Sequence, residues 1–207
     1  MAFPSHDQKL DALLASAARV FAARGYHETS MRDLAADTGA SLSGLYYYVK
    51  SKEELLFLIQ DRNFAAVVAG LEEALRGVTD PVRQLETFIE NHLEYFASHM
   101  AEMKVLSHEA GALSGDFLAQ VNTRKRDYTR MLMDILTRLE ETNGPAHVNR
   151  RVAAYALFGM MNWIYNWYDP LGDLDVRLLS QNMCRLFLGG YVGHPVAEAS
   201  LPRTAAG

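Results

Sequence analysis

Apolar side chains recur every three or four residues along nearly the whole chain, which is the spacing of one face of an α-helix. The first stretch with this spacing carries Leu10, Leu13, Leu14, Ala17, Ala18 and Phe21. Gly25 follows it at the place of a C-terminal glycine cap. No stretch alternates apolar and polar residues in the way that predicts a strand. The pattern therefore predicts an all-α protein.

Start and stop signals divide this pattern into about nine helices. Ser30 is typical of an N-cap, and the short helix after it runs to about Thr38, where Gly39 closes it. A third short helix ends near Tyr48. The sequence Ser51-Lys52-Glu53-Glu54 is a capping box and opens a long fourth helix.

The remaining helices are predicted to pack as a bundle. Asp80 followed by Pro81 is an N-cap with proline at the first helical position, and it starts the fifth helix. The later helices are predicted at about 102–111, 114–141, 149–168 and 174–191. After Gly193 the chain is small, polar and proline-containing, so the tail 194–207 is predicted to be disordered.

Composition changes this picture little. The chain is 49% hydrophobic and 22% charged, with a net charge of −5, so charge alone gives no indication of nucleic-acid binding. Its single cysteine, Cys184, excludes an intramolecular disulfide and favours the cytoplasm. The most apolar run, 152–168, is too short to span a bilayer, and the N-terminus lacks a signal-peptide pattern, so no membrane contact is expected.

The strongest candidate for chemistry lies in residues 26–52. A helix of about two turns, a glycine turn and a second short helix have the spacing that a helix-turn-helix requires. Leu34, Ala35, Thr38 and Leu45 can form the small core between the two helices. Gly39 permits the positive-φ turn.

The second of these helices carries Tyr46, Tyr47 and Tyr48 in succession. Three consecutive tyrosines cannot all point inward, so one or two hydroxyls must face solvent or a partner. Lys50 and Lys52 follow, and the helix N-terminus offers backbone amides; all of these groups bind phosphate. The alternative is a helical corner that carries surface tyrosines and binds nothing.

This stretch resembles the signature of the TetR family. The first helix ends with Phe21-Ala22-Ala23-Arg24-Gly25-Tyr26, the next contains Ser30 followed by Leu34-Ala35, and the last runs from Leu45 to Lys52 as Leu-Tyr-Tyr-Tyr-Val-Lys-Ser-Lys. The resemblance covers about the first 55 residues, and it implies a homodimeric transcriptional repressor that a small molecule releases from operator DNA.

The family's roles, carried over position by position, give a set of DNA-binding residues. The resemblance places Ser30 and Arg32 near the DNA backbone, with Arg32 within reach of a base. It turns Leu42, Ser43 and Gly44 towards the major groove. Tyr46, Tyr48 and Lys52 are expected to bind phosphate, and Tyr47 to lie against the backbone or a thymine methyl. The implied domains are a DNA-binding domain at 1–52 and a ligand-binding and dimerisation domain at 53–193.

The helix predicted at 149–168 is apolar nearly all round, which indicates a helix buried on every side. A dimer seam on one face and a cavity on the other explains this best, and the final helix has a stripe suited to the same interface. Asn162 and Asn166 lie one turn apart on the first of these helices. Their amides either form hydrogen bonds across the seam or contact a ligand.

Candidate ligand contacts also come from the middle helices. Arg124 and Lys125 interrupt the apolar stripe that contains Tyr128, and a basic cluster there suits an anionic head group or is simply a solvated face. Phe88, His92, Phe96 and Met103 are expected to form cavity walls or an ordinary core. The scattered histidines, among them His99 and His108, do not predict a metal site.

The segment from Asn162-Trp163 to Pro170-Leu171-Gly172 resembles one found in TetR-family regulators of fatty-acid, steroid and aromatic-acid breakdown. Several of those respond to acyl-CoA thioesters, so the resemblance implies an acyl-CoA or related acid as effector, with no other cofactor. A regulator of a drug-export pump and a helical ligand carrier that does not bind DNA remain alternatives. The motifs of common enzyme classes are missing, so no enzymatic activity is predicted.

Overall fold

The computed structural model describes residues 5–109, 111–144, 146–172 and 174–191. Within these ranges the chain forms nine α-helices and one 3₁₀ helix, and no strand, so the predicted all-α fold is confirmed. The helices are α1 (His6–Arg24), α2 (Met31–Thr38), α3 (Leu42–Tyr48), α4 (Lys52–Ala74), α5 (Pro81–Ala97), α6 (Met100–His108), α7 (Gly115–Asn143), α8 (Arg150–Asn162) and α9 (Val176–Tyr191). The 3₁₀ helix spans Trp163–Asn166 and follows α8 directly. The predicted tail 194–207 lies outside the described residues.

Most helix starts follow from a capping side chain next to an apolar stripe. The hydroxyls of Ser30, Ser41 and Ser51 each accept a hydrogen bond from the backbone amide three residues later, at α2, α3 and α4. Asp80 caps α5 in the same way, with Pro81 at the first position. These local signals explain why the predicted boundaries lie close to the observed ones.

Two predicted boundaries were wrong. The helix expected at 102–111 starts two residues earlier and ends at His108. The helix expected at 149–168 ends at Asn162 and continues as the 3₁₀ helix. The tighter coil turns the side chains after Asn162 away from the register of α8, because each residue advances by a third of a turn instead of 100°.

The hydrophobic core has two parts that meet on α4. The N-terminal part joins the apolar faces of α1, α2 and α3 to Leu55, Leu56 and Ile59 in the first half of α4. The C-terminal part packs α5, α7, α8 and α9 against Val67 and Leu71 in the second half. The division at residue 52 stays a prediction, but α4 belongs to both cores.

The exposed face of α8 departs from the sequence interpretation. Val152 is 59% exposed and Tyr155 56% exposed, so α8 is not buried on every side of this chain. Its other face is fully buried, as Ala154, Leu157 and Met161 show. An apolar helix with one exposed side is consistent with the seam expected from sequence.

Candidate DNA-reading surface and bundle cavity

The turn between α2 and α3 is built by local hydrogen bonds. The hydroxyl of Ser30 accepts from the Asp33 amide at 3.2 Å, and the Asp33 carboxylate accepts from the Ser30 amide at 2.8 Å. The Ser30 hydroxyl also donates to the Asp33 carboxylate, and this bond, together with the one from the Ser30 amide, keeps the pKa of Asp33 below its usual value. Gly39 has φ 70°, in the left-handed region that glycine enters at least cost. Leu34 and Leu45 are completely buried between the two helices, as expected for a helix-turn-helix.

The N-terminus of α3 is capped by its own chain. The hydroxyl of Ser41 accepts from the Gly44 amide at 2.9 Å and lies 3.0 Å from the hydroxyl of Ser43. The Gly44 amide is therefore engaged within the protein, which differs from the free amide expected at that position. Ser43 is exposed, while Leu42 and Gly44 are half-buried. A side chain at Gly44 would place its Cβ only 3.1 Å from the Ser41 hydroxyl.

Two of the three phenols on α3 face solvent. Tyr46 is 50% exposed and Tyr47 is 72% exposed. Tyr48 is half-buried and meets the Tyr47 ring edge-on, with 5.0 Å between ring centroids. Arg32 at the start of α2 and Lys50 after α3 are also exposed. We call these side chains of α2, α3 and the residue after Val49 the reading surface, and they are rich in groups that donate to phosphate.

The structure gives Lys52 a different role from the phosphate contact expected above. Its ammonium donates to the Tyr26 carbonyl at 2.9 Å and to the Thr29 carbonyl at 2.8 Å. It also lies 4.3 Å from the centre of the Tyr26 ring. Lys52 therefore connects the start of α4 to the loop between α1 and α2, and two of its three protons are used there.

The N-terminal helices are tied to the rest of the chain through α6 and the segment after it. The Tyr26 amide donates to the Glu109 carboxylate at 3.1 Å. The amide and hydroxyl of Ser114 donate to the Glu53 carboxylate at 2.7 and 2.8 Å. The segment after α6 thus contacts the loop between α1 and α2 and the start of α4 directly.

A cavity of about 650 Å³ lies between α5, α6, α7, α8 and the 3₁₀ helix, and we call it the bundle cavity. This volume is in the range of pockets that hold drug-sized ligands. Its walls are mainly aromatic and aliphatic. The lining residues are Phe64, His92, Phe96, Met103, Leu106, Ser107, Asn122, Lys125, Arg126, Tyr128, Thr129, Tyr155, Phe158, Gly159, Asn162, Trp163 and Tyr165.

The charge at this cavity has one sign. Lys125 and Arg126, both on α7, line it, and no carboxylate of the described residues does. Burial lowers the pKa of Lys125, because its ammonium loses part of its hydration. A partly dehydrated ammonium gains more from an anionic ligand than one in bulk water does.

A polar group lies deep among the aromatic walls. His92 is 2% exposed, and its Nδ1 lies 3.1 Å from the hydroxyl oxygen of Tyr128. Burial lowers the pKa of His92 to about 3, an effect that the side chain of Asn162 partly offsets. Burial also raises the pKa of Tyr128 far above its ordinary value. Both groups are therefore neutral at physiological pH.

The structure brings most of the predicted ligand residues to this cavity, but not all of them. His92, Phe96, Met103, Lys125, Tyr128 and Asn162 line it. Phe88 lies behind the wall, fully buried and stacked on Tyr128 at 5.0 Å. Arg124 instead pairs with Asp61 of α4 at 2.8 Å, and Asn166 is exposed, with its amide directed at the Trp163 carbonyl.

The sequence interpretation missed that Arg126 is the second cation of the cavity. Asn122, Lys125, Arg126 and Thr129 follow one another at helical spacing along one face of α7. Arg124 lies about 100° away from Lys125 around the helix and faces α4. The helical repeat contained this signal, but assigning it required knowing which face of α7 meets the cavity.

Two further features are absent from the described part of the chain. Its histidines and acids form no cluster of three or more that could hold a metal ion. No helix there is both long enough and apolar enough to cross a membrane.

Comparison with known protein families decides the class of this protein. Residues 13–59 match the family described as bacterial regulatory proteins, tetR family. Residues 78–191 match the family described as Tetracyclin repressor-like, C-terminal domain. The chain belongs to the TetR family. It is therefore a DNA-binding transcriptional regulator and not an enzyme, and the helix-turn-helix interpretation of residues 26–52 is confirmed.

Individual TetR-family relatives cover nearly the whole chain. The HTH-type transcriptional repressor KstR2 of Mycolicibacterium smegmatis is 29% identical over 187 residues, 87% of this chain and 89% of that protein. The HTH-type transcriptional activator FasR of the same species is 27% identical over 193 residues, 93% of this chain and 87% of that protein. The crystal structure of AibR in complex with isovaleryl coenzyme A and operator DNA has 27% identity and a TM-score of 0.76, covering 86% of this chain and 97% of that one.

Proposed function

We propose that this TetR-family protein is a homodimeric repressor that acts in the cytoplasm and that an acyl-CoA thioester releases from its operator. The observation that carries the effector assignment is the composition of the bundle cavity. Its walls are mainly apolar, and the only charged side chains of the described residues that line it are Lys125 and Arg126. An apolar acyl chain joined to an anionic coenzyme matches both features.

The alternative effector, a cationic drug, fits this cavity poorly. A cation in an apolar pocket requires a carboxylate or an electron-rich face to replace its hydration. The aromatic walls provide such faces, but the two positive charges of Lys125 and Arg126 oppose a cation. The solved complex of AibR with isovaleryl coenzyme A and operator DNA supports the acyl-CoA reading by analogy.

The DNA side of the proposal rests on the reading surface. We assign Tyr46, Tyr47, Arg32 and Lys50 as the groups that first contact DNA, because they are exposed and able to donate hydrogen bonds. Ser30, Leu42, Ser43, Gly44 and Tyr48 complete the proposed contact set at the edges of the same helices. Ser43 offers the base edges only one hydroxyl, so sequence recognition depends strongly on Arg32 and DNA shape.

Dimerisation is assigned to the exposed apolar side of α8 and α9. Val152, Leu178 and Leu186 are 59%, 45% and 71% exposed in the single chain. Large apolar side chains at such positions on neighbouring helices suit a two-fold helical interface. Two copies joined there present their two helix-turn-helix regions, here called reading heads, to successive major grooves about 34–36 Å apart.

Release is proposed to pass through α6. Met103, Leu106 and Ser107 line the cavity, while Glu109, just after the helix, holds the Tyr26 amide beside α1. A ligand that binds better when α6 is displaced shifts the population towards that state and changes the separation of the two heads. The effector then lowers DNA affinity by the ratio of its own affinities for the two states.

The test is a fluorescence anisotropy assay with a labelled duplex taken from upstream of the protein's own gene. Isovaleryl-, octanoyl- and palmitoyl-CoA are titrated into the protein–DNA complex, with free CoA and the cationic dye rhodamine 6G as controls. We expect at least one thioester to release the DNA at a concentration tenfold or more below that of free CoA. Release by the dye alone would contradict the effector assignment, and tighter DNA binding with a thioester would contradict repression by release.

A further inference from the structure

The buried histidine of the bundle cavity has one ring nitrogen without a partner. His92 is 2% exposed and its Nδ1 lies 3.1 Å from the Tyr128 hydroxyl. Its Nε2 is buried and has no hydrogen-bond partner among the described residues. A buried polar atom left unpaired costs free energy, so its persistence in a ligand cavity indicates that a ligand completes it.

The proton on His92 can be placed by comparing its two neutral tautomers. If Nδ1 carried the proton and donated to Tyr128, both the Tyr128 O–H and the Nε2 lone pair would lack partners among the described residues. If Tyr128 donates to Nδ1, only the Nε2–H lacks a partner. The second arrangement leaves fewer buried groups unpaired, so His92 presents a donor at Nε2.

The surroundings of the His92 Nε2–H indicate which ligand group it can bind. Asn162 also lines the cavity, and its side chain approaches the His92 ring closely enough to raise the pKa of His92, although it forms no hydrogen bond with Nε2. Phe96 and Phe158 flank the ring, with centroids 4.8 and 6.2 Å away. Lys125 lies three residues before Tyr128 on α7, which is roughly 5 Å along the helix. A donor beside apolar walls, in a cavity that Lys125 also lines, suits an acyl carbonyl next to a polar head group.

We propose that His92 and Asn162 form a subsite that donates hydrogen bonds to the carbonyl oxygen of an acyl ligand, with Tyr128 as the positioning residue that fixes the His92 tautomer. The ligand oxygen enters between the two side chains, and the Asn162 amide turns its NH₂ group towards that oxygen to supply the second donor. This inference rests on the proposed function and specifies which group of the effector, its acyl carbonyl, the cavity recognises. The carbonyl comes either from a thioester or from a free acid, and the two sources are separated by experiment.

The decisive measurement compares two ligands that differ only at the carbonyl. Octanoyl-CoA has a thioester carbonyl, and S-octyl-CoA is the thioether that lacks it. By isothermal titration calorimetry we expect the wild-type protein to bind octanoyl-CoA about 10- to 100-fold more tightly, because the thioether leaves buried donors unpaired. Sodium octanoate is the third probe. If wild type binds octanoate but not octanoyl-CoA, and His92→Phe no longer binds octanoate, the subsite is supported with a free acid as the source of the carbonyl.

Substitutions separate this role from a merely structural one. His92→Phe should remove the preference by weakening octanoyl-CoA and leaving S-octyl-CoA unchanged. His92→Gln retains a donor and should retain most of the preference. Met103→Leu, a matched change in the apolar wall, should alter the affinities for both ligands by the same factor. A preference that survives in His92→Phe would overturn the assignment.

A measurement on the unmodified protein makes the test independent of how the variants fold. Nitrogen-15 spectra of labelled histidine should show His92 as the Nε2-protonated neutral tautomer, and octanoyl-CoA, unlike S-octyl-CoA, should shift its Nε2 signal. Equal wild-type affinity for the two CoA compounds would overturn the subsite and leave the acyl-CoA effector standing. Failure of all three probes to bind would overturn both.

Discussion

The reading surface and the bundle cavity are both built from α-helices, but they differ in how their polar groups are paired. In the reading head the polar groups of the turn are paired locally, by Ser30 with Asp33 and by Ser41 with Gly44, while the phenols of α3 face outward. In the cavity the neighbours are apolar, and His92 keeps an unpaired nitrogen. The polar groups of the helix-turn-helix are thus already paired before DNA binds. In the cavity, by contrast, the Nε2 atom of His92 lacks a hydrogen-bond partner that a ligand could provide.

The largest expected effect tests whether charge defines the cavity. The double substitution Lys125→Glu, Arg126→Glu should weaken binding of acyl-CoA by at least about 100-fold, because each lost charge-assisted hydrogen bond contributes about 1.5–3 kcal/mol. DNA binding in the absence of effector should be unchanged. The readout is calorimetry together with DNA anisotropy.

The matched control for this substitution is Arg130→Glu, which reverses an exposed α7 charge that does not line the cavity. It should leave effector affinity within about threefold of wild type, the scale of an exposed charge. If Arg130→Glu is as damaging as the double substitution, long-range charge and not the cavity lining holds the ligand.

A smaller effect is expected in the head, where Lys52 and Lys50 are compared. Lys52→Met should lower the free energy of unfolding by about 1–3 kcal/mol, because the carbonyls of Tyr26 and Thr29 lose a charged donor. Exposed Lys50→Met should change it by less than about 0.5 kcal/mol and should instead weaken DNA binding. Chemical denaturation measures the first quantity and anisotropy at several salt concentrations the second. Equal stability of the two variants would return Lys52 to the role of a simple phosphate ligand.

The buried His92 should make stability depend on pH. Its pKa is about 3 in the folded chain and 6.5 when unperturbed, so between these values only the unfolded state binds the proton. Its contribution to the free energy of unfolding is complete above pH 6.5 and falls by up to about 1.4 kcal/mol per pH unit as the pH drops towards 3.

The comparison that isolates this effect is wild type against His92→Gln, unfolded by urea at pH 7 and at pH 5.5. The stability advantage of wild type should be about 1 kcal/mol smaller at the lower pH. The variant of an exposed histidine, His27→Gln, should follow wild type at both values. An advantage that does not change with pH would mean that His92 is hydrated or charged in the folded protein.

The smallest effect expected is that of one hydroxyl on the reading surface. Tyr46→Phe should weaken operator binding about threefold, because a hydrogen bond contributes about 0.5–1.5 kcal/mol and this exposed one lies towards the lower end of that range. Tyr155→Phe removes a phenol hydroxyl of similar exposure on α8, where it lines the bundle cavity, and should leave DNA affinity unchanged in the absence of effector. Anisotropy with the same duplex measures both, and a Tyr46→Phe protein with wild-type affinity would exclude a phosphate contact by that hydroxyl.

The contrast between the regions also explains what could be predicted from the sequence. The helix-turn-helix was predictable because Ser30, Gly39 and Ser41 start or end helices through contacts with residues only a few positions away in sequence. The partners of Lys52 lie 26 and 23 residues away in sequence, and the choice between Arg124 and Arg126 depends on the rotation of α7 against α4. No local pattern contains such information. The 3₁₀ turn at Trp163–Asn166 was missed because its residues also fit a continuing α-helix.

One consequence follows from the shared helix α4. Its first half supplies Leu55, Leu56 and Ile59 to the N-terminal core, and its second half supplies Val67 and Leu71 to the other. In a hybrid regulator with another protein's DNA-binding domain joined at residue 52, the three fully buried side chains Leu55, Leu56 and Ile59 would all lose their native packing neighbours. Heads from related proteins should therefore transplant well only when the donor sequence extends past residue 60, so that recombination inside this helix, and not at its start, keeps each half with its own core.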